Sequence, residues 1–123
     1  MKTVIFSIII IVSLSTPIKN EFLPLAIEGK NRVEIVFDRK MSFDDLVNIR
    51  RDLKKKGIDL EFKELSFDKY QKLEGISFQV DCNDGFSGAS GVSILGRKDF
   101  GFFRDYTERV KVPFGVGNIK DLK

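Results

Sequence analysis

The sequence predicts an α+β fold: a two-layer sandwich with one amphipathic helix packed on a mixed or antiparallel sheet of about four strands. Three observations carry this. Residues 43–56 repeat apolar side chains at three-and-four spacing between a capping serine and a glycine. Residues 32–38, 58–67 and 73–82 alternate apolar and polar side chains with period two, and a shorter run at 91–95 marks a fourth strand. The helix falls between the first two strands, as in a right-handed crossover. With 123 residues, 42% apolar and 32% charged, the chain has room for one domain and is too hydrophobic to stay disordered.

Each element has a local reason. Val33, Ile35 and Phe37 share one strand face, and Asp38 to Met41 connects that strand to the helix. Ser42 caps the helix, Asp44 and Asp45 fill its first turn, and Lys54, Lys55 and Lys56 fill its last before Gly57 stops it, an order that complements the helix dipole. Phe43, Leu46, Val47, Ile49, Arg50 and Leu53 keep the helical spacing, and all but Arg50 are apolar, so this face is expected to pack. Ile58, Leu60 and Phe62 begin the next strand, whose parity shifts to Leu65 and Phe67, as a bulge near Lys63 and Glu64 would cause. After a polar turn at Asp68 to Lys72, Ile76, Phe78, Val80 and Cys82 alternate with Ser77, Gln79 and Asp81, completing an antiparallel hairpin. Asn83 to Gly91 reads as a glycine-rich loop, and the C-terminal segment as irregular and aromatic.

The N-terminal stretch MKTVIFSIIIIVSLST, residues 1–16, has the outline of a secretory signal peptide: Lys2, an apolar block from Val4 to Leu14, then small residues. The block is shorter than the roughly 20 residues a membrane-crossing helix needs, so no stable membrane anchor is expected after cleavage. Ser13 and Ser15 place cleavage after residue 15 or within the next few. The expected location is secreted or periplasmic. Residues 17–31 read as a connecting segment with a short strand near Leu25 to Glu28, and residues 32–123 as the single domain. Removing the signal takes away Lys2 and no acid, so the whole-chain charge of +3 falls to +2, with 20 bases facing 18 acids.

Composition narrows the chemistry. The chain has no His, no Trp and one Cys, which removes Ser-His and Cys-His nucleophile pairs, imidazole-ligated zinc, multi-Cys zinc sites and an internal disulfide framework. No pair of carboxylates stands at a spacing that forces it into a shared apolar pocket, so no catalytic residue, metal ligand or cofactor is nominated. Asp81, Asn83 and Asp84 gather oxygens but lack the helix-flanked calcium-loop pattern, and an Asx turn explains them. Gly85, Gly88 and Gly91 lack the Gly-Lys-Ser/Thr of a phosphate loop. Cys82, on the apolar parity of its strand, is expected to be buried and unpaired.

The segment VEIVFDRKMSFDDLVNIRRDLKKKGIDLEFKELSFDKYQKLEGISFQVDCNDGFSGASGVSI resembles small strand-helix-strand-strand modules of Bacteroidetes-type bacteria. Such modules occur in short secreted proteins and at the extracytoplasmic C-terminal end of membrane metallopeptidases similar to β-lactam sensors. The shared features are the amphipathic helix ending in a Lys-rich turn and Gly57, the Ile-x-Leu-x-Phe strand, the hairpin, the alternating strand and the Gly-Ser-Gly loop. All are architectural. The resemblance implies secretion and partner binding, and it brings no catalytic residue, since the metallopeptidase H-E-x-x-H needs histidines this chain lacks.

The C-terminal third interleaves Phe100, Phe102, Phe103, Tyr106 and Phe114 with Arg97, Lys98, Arg104, Arg109 and Lys111. Such a mixture can bind single-stranded nucleic acid. Asp99, Asp105 and Glu108 dilute its field, and export removes the chain from nucleic acid, so that partner is not expected. Two placements remain: burial of the rings to complete the core, which their size favours, or exposure as a recognition patch. The candidate binding residues are Phe86 in the glycine loop and Arg97, Phe100, Phe102, Phe103, Arg104 and Tyr106. The expected function is a small binding module for a protein or cell-envelope partner, acting through this patch or through a sheet edge that accepts a partner strand. The alternatives are a carboxylate-based hydrolase or glycan-processing enzyme, and a structural or inhibitory module with all its aromatics buried.

Overall fold

The computed structural model describes residues 26–29 and 31–122; the expected signal peptide and most of the connecting segment lie outside them. The fold is α+β with two antiparallel sheets. Strands β1 (Ala26–Gly29), β2 (Arg32–Phe37), β6 (Phe100–Asp105) and β7 (Phe114–Asn118) form one sheet in the order β1-β2-β6-β7. Strands β3 (Asp59–Phe67), β4 (Leu73–Asp81) and β5 (Ser87–Val92) form the other, in sequence order. Helix α1 (Phe43–Lys55) connects β2 to β3, and a 3-10 turn covers Ile119–Leu122.

The helix is set by its ends. The Asp45 amide donates to Ser42 Oγ (3.3 Å), while Asp45 Oδ2 accepts from the Ser42 amide (2.9 Å), a reciprocal capping box. At the far end Gly57 adopts φ +84°, a left-handed conformation that favours glycine. Its amide donates to the Lys54 carbonyl and the Ile58 amide to the Leu53 carbonyl, both at 3.0 Å, closing a Schellman motif with Ile58 and Leu53 buried. The β3–β4 hairpin turns on Asp68, whose carboxylate accepts from the Tyr70 (2.8 Å) and Lys72 (3.0 Å) amides. The parity shift of β3 is a bulge between Phe62 and Glu64.

Several expectations need correction. The four strands foreseen in one sheet are divided: the first lies in the β1-β2-β6-β7 sheet and the others in the second, so α1 links two sheets and does not cross over within one. The last of the four begins four residues earlier than residue 91, because GFSGASG contributes strand β5 and not a loop. Glycine normally weakens a strand, but Gly88 lies where a Cβ would stand 3.3 Å from the Phe114 ring. Packing of β5 against β7 is close at Gly88, where a small residue fits without shifting Phe114 or Val116 although local propensity counts against it. The irregular C-terminal segment forms strands β6 and β7, joined by the loop 106–113, which Thr107 and Val110 close.

One core serves both sheets and the helix. Leu46, Ile49 and Leu53 of α1 meet Val33, Ile35 and Phe37 of β2, Leu60 of β3, Ile76, Phe78 and Val80 of β4, and Phe100 and Phe102 of β6. Phe78 is fully buried, with ring centroids 5.2 Å from Phe37, 5.8 Å from Phe100 and 6.1 Å from Phe102. Offset and edge-on contacts of this kind add to the burial of the rings themselves. Phe78 is thus the side chain of the second sheet that touches three rings of the first. Substituting Phe78→Ala is expected to cost about 3–5 kcal/mol, the range for a fully buried aromatic. Phe43→Ala, on the exposed side of α1, should stay within about 0.5 kcal/mol. Urea unfolding of both variants checks this, and equal losses would contradict it.

Candidate functional site

The structure separates the seven candidate binding residues. Phe100 and Phe102 point into the common core. Phe103, of opposite parity on β6, is buried on the other face of that sheet, where the Arg32 guanidinium lies 4.2 Å from its ring centroid. A Cβ on Gly115 would come within 2.8 Å of both this ring and Leu122, so glycine is required beneath it. Arg97 is exposed on the β5–β6 connection. Only Phe86, Arg104 and Tyr106 are brought together.

Their meeting point is Arg104. Its guanidinium is stacked between Phe86 and Tyr106, at 4.5 and 4.3 Å from the ring centroids. Nε and Nη2 converge on Asp84 Oδ2 at 2.9 and 2.8 Å, and Nη1 donates to the carbonyls of Asp105 (2.7 Å) and Pro113 (3.2 Å). A buried arginine so fully used has little capacity left for an anionic ligand. It clamps the β4–β5 turn to the β6–β7 loop. Asp84, grouped in the sequence with a weak calcium pattern, is the counter-ion here, and Asn83 closes an Asx turn by donating from its amide to Asp81 Oδ1 (2.8 Å). Among the described residues no group of three or more His, Cys, Asp or Glu gathers as a metal site would need.

Cys82 is a free, buried thiol at this cluster. Burial first, then the Asp84 carboxylate, push it up from an ordinary 9.0 to about 11, with Arg104 opposing. The Tyr106 hydroxyl is raised in the same direction, chiefly by burial. Asp105 is held below the usual carboxylate range, first by its hydrogen bonds from Thr107 and then by Arg32.

A cavity of about 610 Å³ opens on the outer face of the β3-β4-β5 sheet. Cross-strand pairing aligns Glu64, Ser77 and Gly91 there, beside Ser66 and Gly75, while Leu65, Ile76 and Val92 pack inward. It is a shallow hydroxyl-lined trough without a ring to anchor a ligand.

The second surface was missed in the sequence because helical spacing assigns Phe43 and Val47 to the packed face. That face splits in the fold. Leu46, Ile49 and Leu53 enter the core, whereas Phe43 is 54% and Val47 39% exposed. With Arg50 and Lys54 they form a stripe along the side of α1 that borders β3: the Phe43 and Phe67 rings meet edge-on at 6.4 Å, and Lys54 lies 3.8 Å from Asp59. A cavity of about 240 Å³ between Arg50, Lys54 and the start of β3 continues the groove. β3 pairs with β4 on one side only, so among the described residues its other edge carries no strand. The Gly57-capped turn that makes α1 run back along β3 was legible, and it would have located this groove.

Two outcomes follow from the cluster. Arg104→Lys loses the fork and the stacking, and is expected to cost about 1.5–3 kcal/mol in urea unfolding, with an unchanged midpoint contradicting the clamp. The native state holds the Cys82 proton to higher pH than the unfolded chain does. The Cys82 contribution to stability should therefore be constant below about pH 9.0 and be lost as pH rises towards 11, and a Cys82→Ser variant should lose part of that alkaline fall. Comparison of the chain with known proteins gives no matching family model, no matching curated protein and no matching solved structure.

Proposed function

We propose that this protein is a secreted or periplasmic binding module that holds an extended segment of a protein or cell-envelope partner in the groove between α1 and β3, without catalysis of its own. The observation that carries the reading is the exposure of Phe43 and Val47 beside a nine-residue strand edge that carries no strand among the described residues. Large apolar side chains on a helix flank can receive a partner's side chains, while the strand edge supplies backbone donors and acceptors, the two components of strand addition. The finer architecture belongs to the same reading: a sandwich in which the two sheets and α1 close on one core, leaving the helix flank uncovered. Phe100 and Phe102 lie in that core, Phe103 lies under Arg32, and the part-exposed Tyr106 is engaged by Arg104, which favours the edge over the C-terminal aromatics as the contact surface. The signal-like residues 1–16 support export, as does the resemblance to secreted Bacteroidetes-type modules. Among the described residues no helix is long and apolar enough to cross a membrane.

Hydrogen exchange of the full chain with a set of strand-forming synthetic peptides tests the contact. The amides of β3 should gain protection, and Phe43→Ala or Val47→Ala should weaken binding about tenfold or more at unchanged melting temperature. Protection at Tyr106, or on the β4 and β5 side of the trough at Ser77 and Gly91, with β3 unaffected, would overturn the reading. Expression in a bacterial host with cell fractionation tests the location: the envelope or medium fraction should contain a chain shortened by residues 1–15 or a few more.

A further inference from the structure

Resting on that reading, we infer that the segment held by the groove carries a large apolar side chain towards its N-terminus and acidic side chains towards its C-terminus, and lies antiparallel to β3. The groove has two chemically different ends. Because α1 runs back along β3, Phe43 and Val47 stand at the Phe67 end, while Arg50 and Lys54 stand at the Asp59 end. Phe43 to Lys54 spans about 17 Å at the helical rise, which an extended segment covers in about five residues.

The charges facing the groove settle the sign of its polar end. Lys54 is shared with Asp59, whose Oδ2 also accepts from Asn83 Nδ2 at 3.0 Å. Glu61 is matched by Lys63 at 3.3 Å. Of the acids of β3, Asp59 and Glu61, at the Arg50 end, are therefore occupied by the protein's own donors, while the exposed Glu64 lies past the bulge and lines the serine trough. Elsewhere on α1, Arg51 donates to Asn48, and Lys55 lies 3.8 Å from Asp52. The Arg50 side chain has no hydrogen bond or ion pair among the described residues and is exposed on the groove side. At the Asp59 end of the groove the unmatched charge is therefore the Arg50 cation, and the complement it selects there is an acid.

Direction follows from the ladders. Every strand pair in the two sheets is antiparallel. A segment added to β3 in the same sense begins beside Phe67 and Phe43 and ends beside Arg50, which fixes the order of apolar and acidic side chains along it.

The test uses three synthetic peptides on a Thr and Val background: one with Phe near the N-terminus and Glu near the C-terminus, the same residues in reverse order, and a version with Lys for Glu. Fluorescence anisotropy with the full chain should show the first binding about fivefold tighter or more than either other, a margin that shrinks with added salt. Arg50→Glu should abolish or invert the Glu preference, whereas Phe43→Ala should weaken all three together. Equal affinity for the three peptides, with β3 amides protected, overturns the directional and acidic preference and leaves the groove reading standing. No binding, with β3 amides unprotected, overturns the groove reading itself. Self-association that protects β3 in place of peptide makes a second copy the occupant and overturns the inference.

Discussion

The two sheets of this protein are joined by packing. Each has its own antiparallel ladders, and no ladder runs from one to the other among the described residues. β5 and β7 lie side by side, with Gly88 against Phe114 and Val116, without closing the sheets into a barrel. The contact that fixes their relation is the ring cluster around Phe78, and the direct backbone ties are few, as where the Leu73 amide donates to the Met41 carbonyl at 2.8 Å. Dispersion and hydrophobic burial are short-ranged and demand close fit. The fold therefore depends on the shapes of a few Phe side chains more than a single continuous sheet would.

This dependence explains which parts of the architecture were legible in the sequence. The helix was, because capping at Ser42 and Gly57 is local chemistry and leaves a local signature. So was the β3–β4 hairpin with its bulge near Lys63, since cross-strand partners there are separated by a short turn. The grouping of strands was not. β2 pairs with β6, its partners lying some seventy positions along the chain (Arg32 opposite Asp105), and nothing in a period-two pattern names the partner. The start of strand β5 was hidden for a related reason: Gly91 answers to Ser77 across its own sheet and Gly88 to Phe114 of the other, contacts that exist only once the chain has folded.

The C-terminal candidates show the same limit on the side of function. Alternating bases and rings resemble a recognition surface on paper because the sequence does not reveal parity across two faces. In the fold, Phe102 and Phe103 point to opposite faces of β6 and both are buried, one in the core and one beneath Arg32 and Leu122. Arg104 stands between rings for a structural purpose, since a guanidinium can be desolvated only if its donors are satisfied, and here Asp84 and two carbonyls satisfy them. Of the seven candidates, Phe86, Arg104 and Tyr106 meet, and their contacts tie the β4–β5 turn to the β6–β7 loop.

The groove arises from the same economy of side chains. One helix covers a core built from two sheets, and it spends Leu46, Ile49 and Leu53 on that core, which leaves its flank at Phe43 and Val47 largely exposed among the described residues, with Phe43 touching Phe67 edge-on. An exposed strand edge next to such a flank invites indiscriminate pairing. β3 limits this with a bulge at Lys63 and with Glu61, Lys63 and Glu64 exposed around it, so the edge is neither flat nor apolar along its length. The bulge divides the edge into an Asp59–Phe62 run beside the cations of α1 and a Glu64–Phe67 run beside its apolar residues. A long uniform strand, such as another copy's β3, meets the irregularity midway, whereas a short segment with different chemistry at its two ends can seat each end against its own run. The device that guards the edge against aggregation is thus the one that would make it selective.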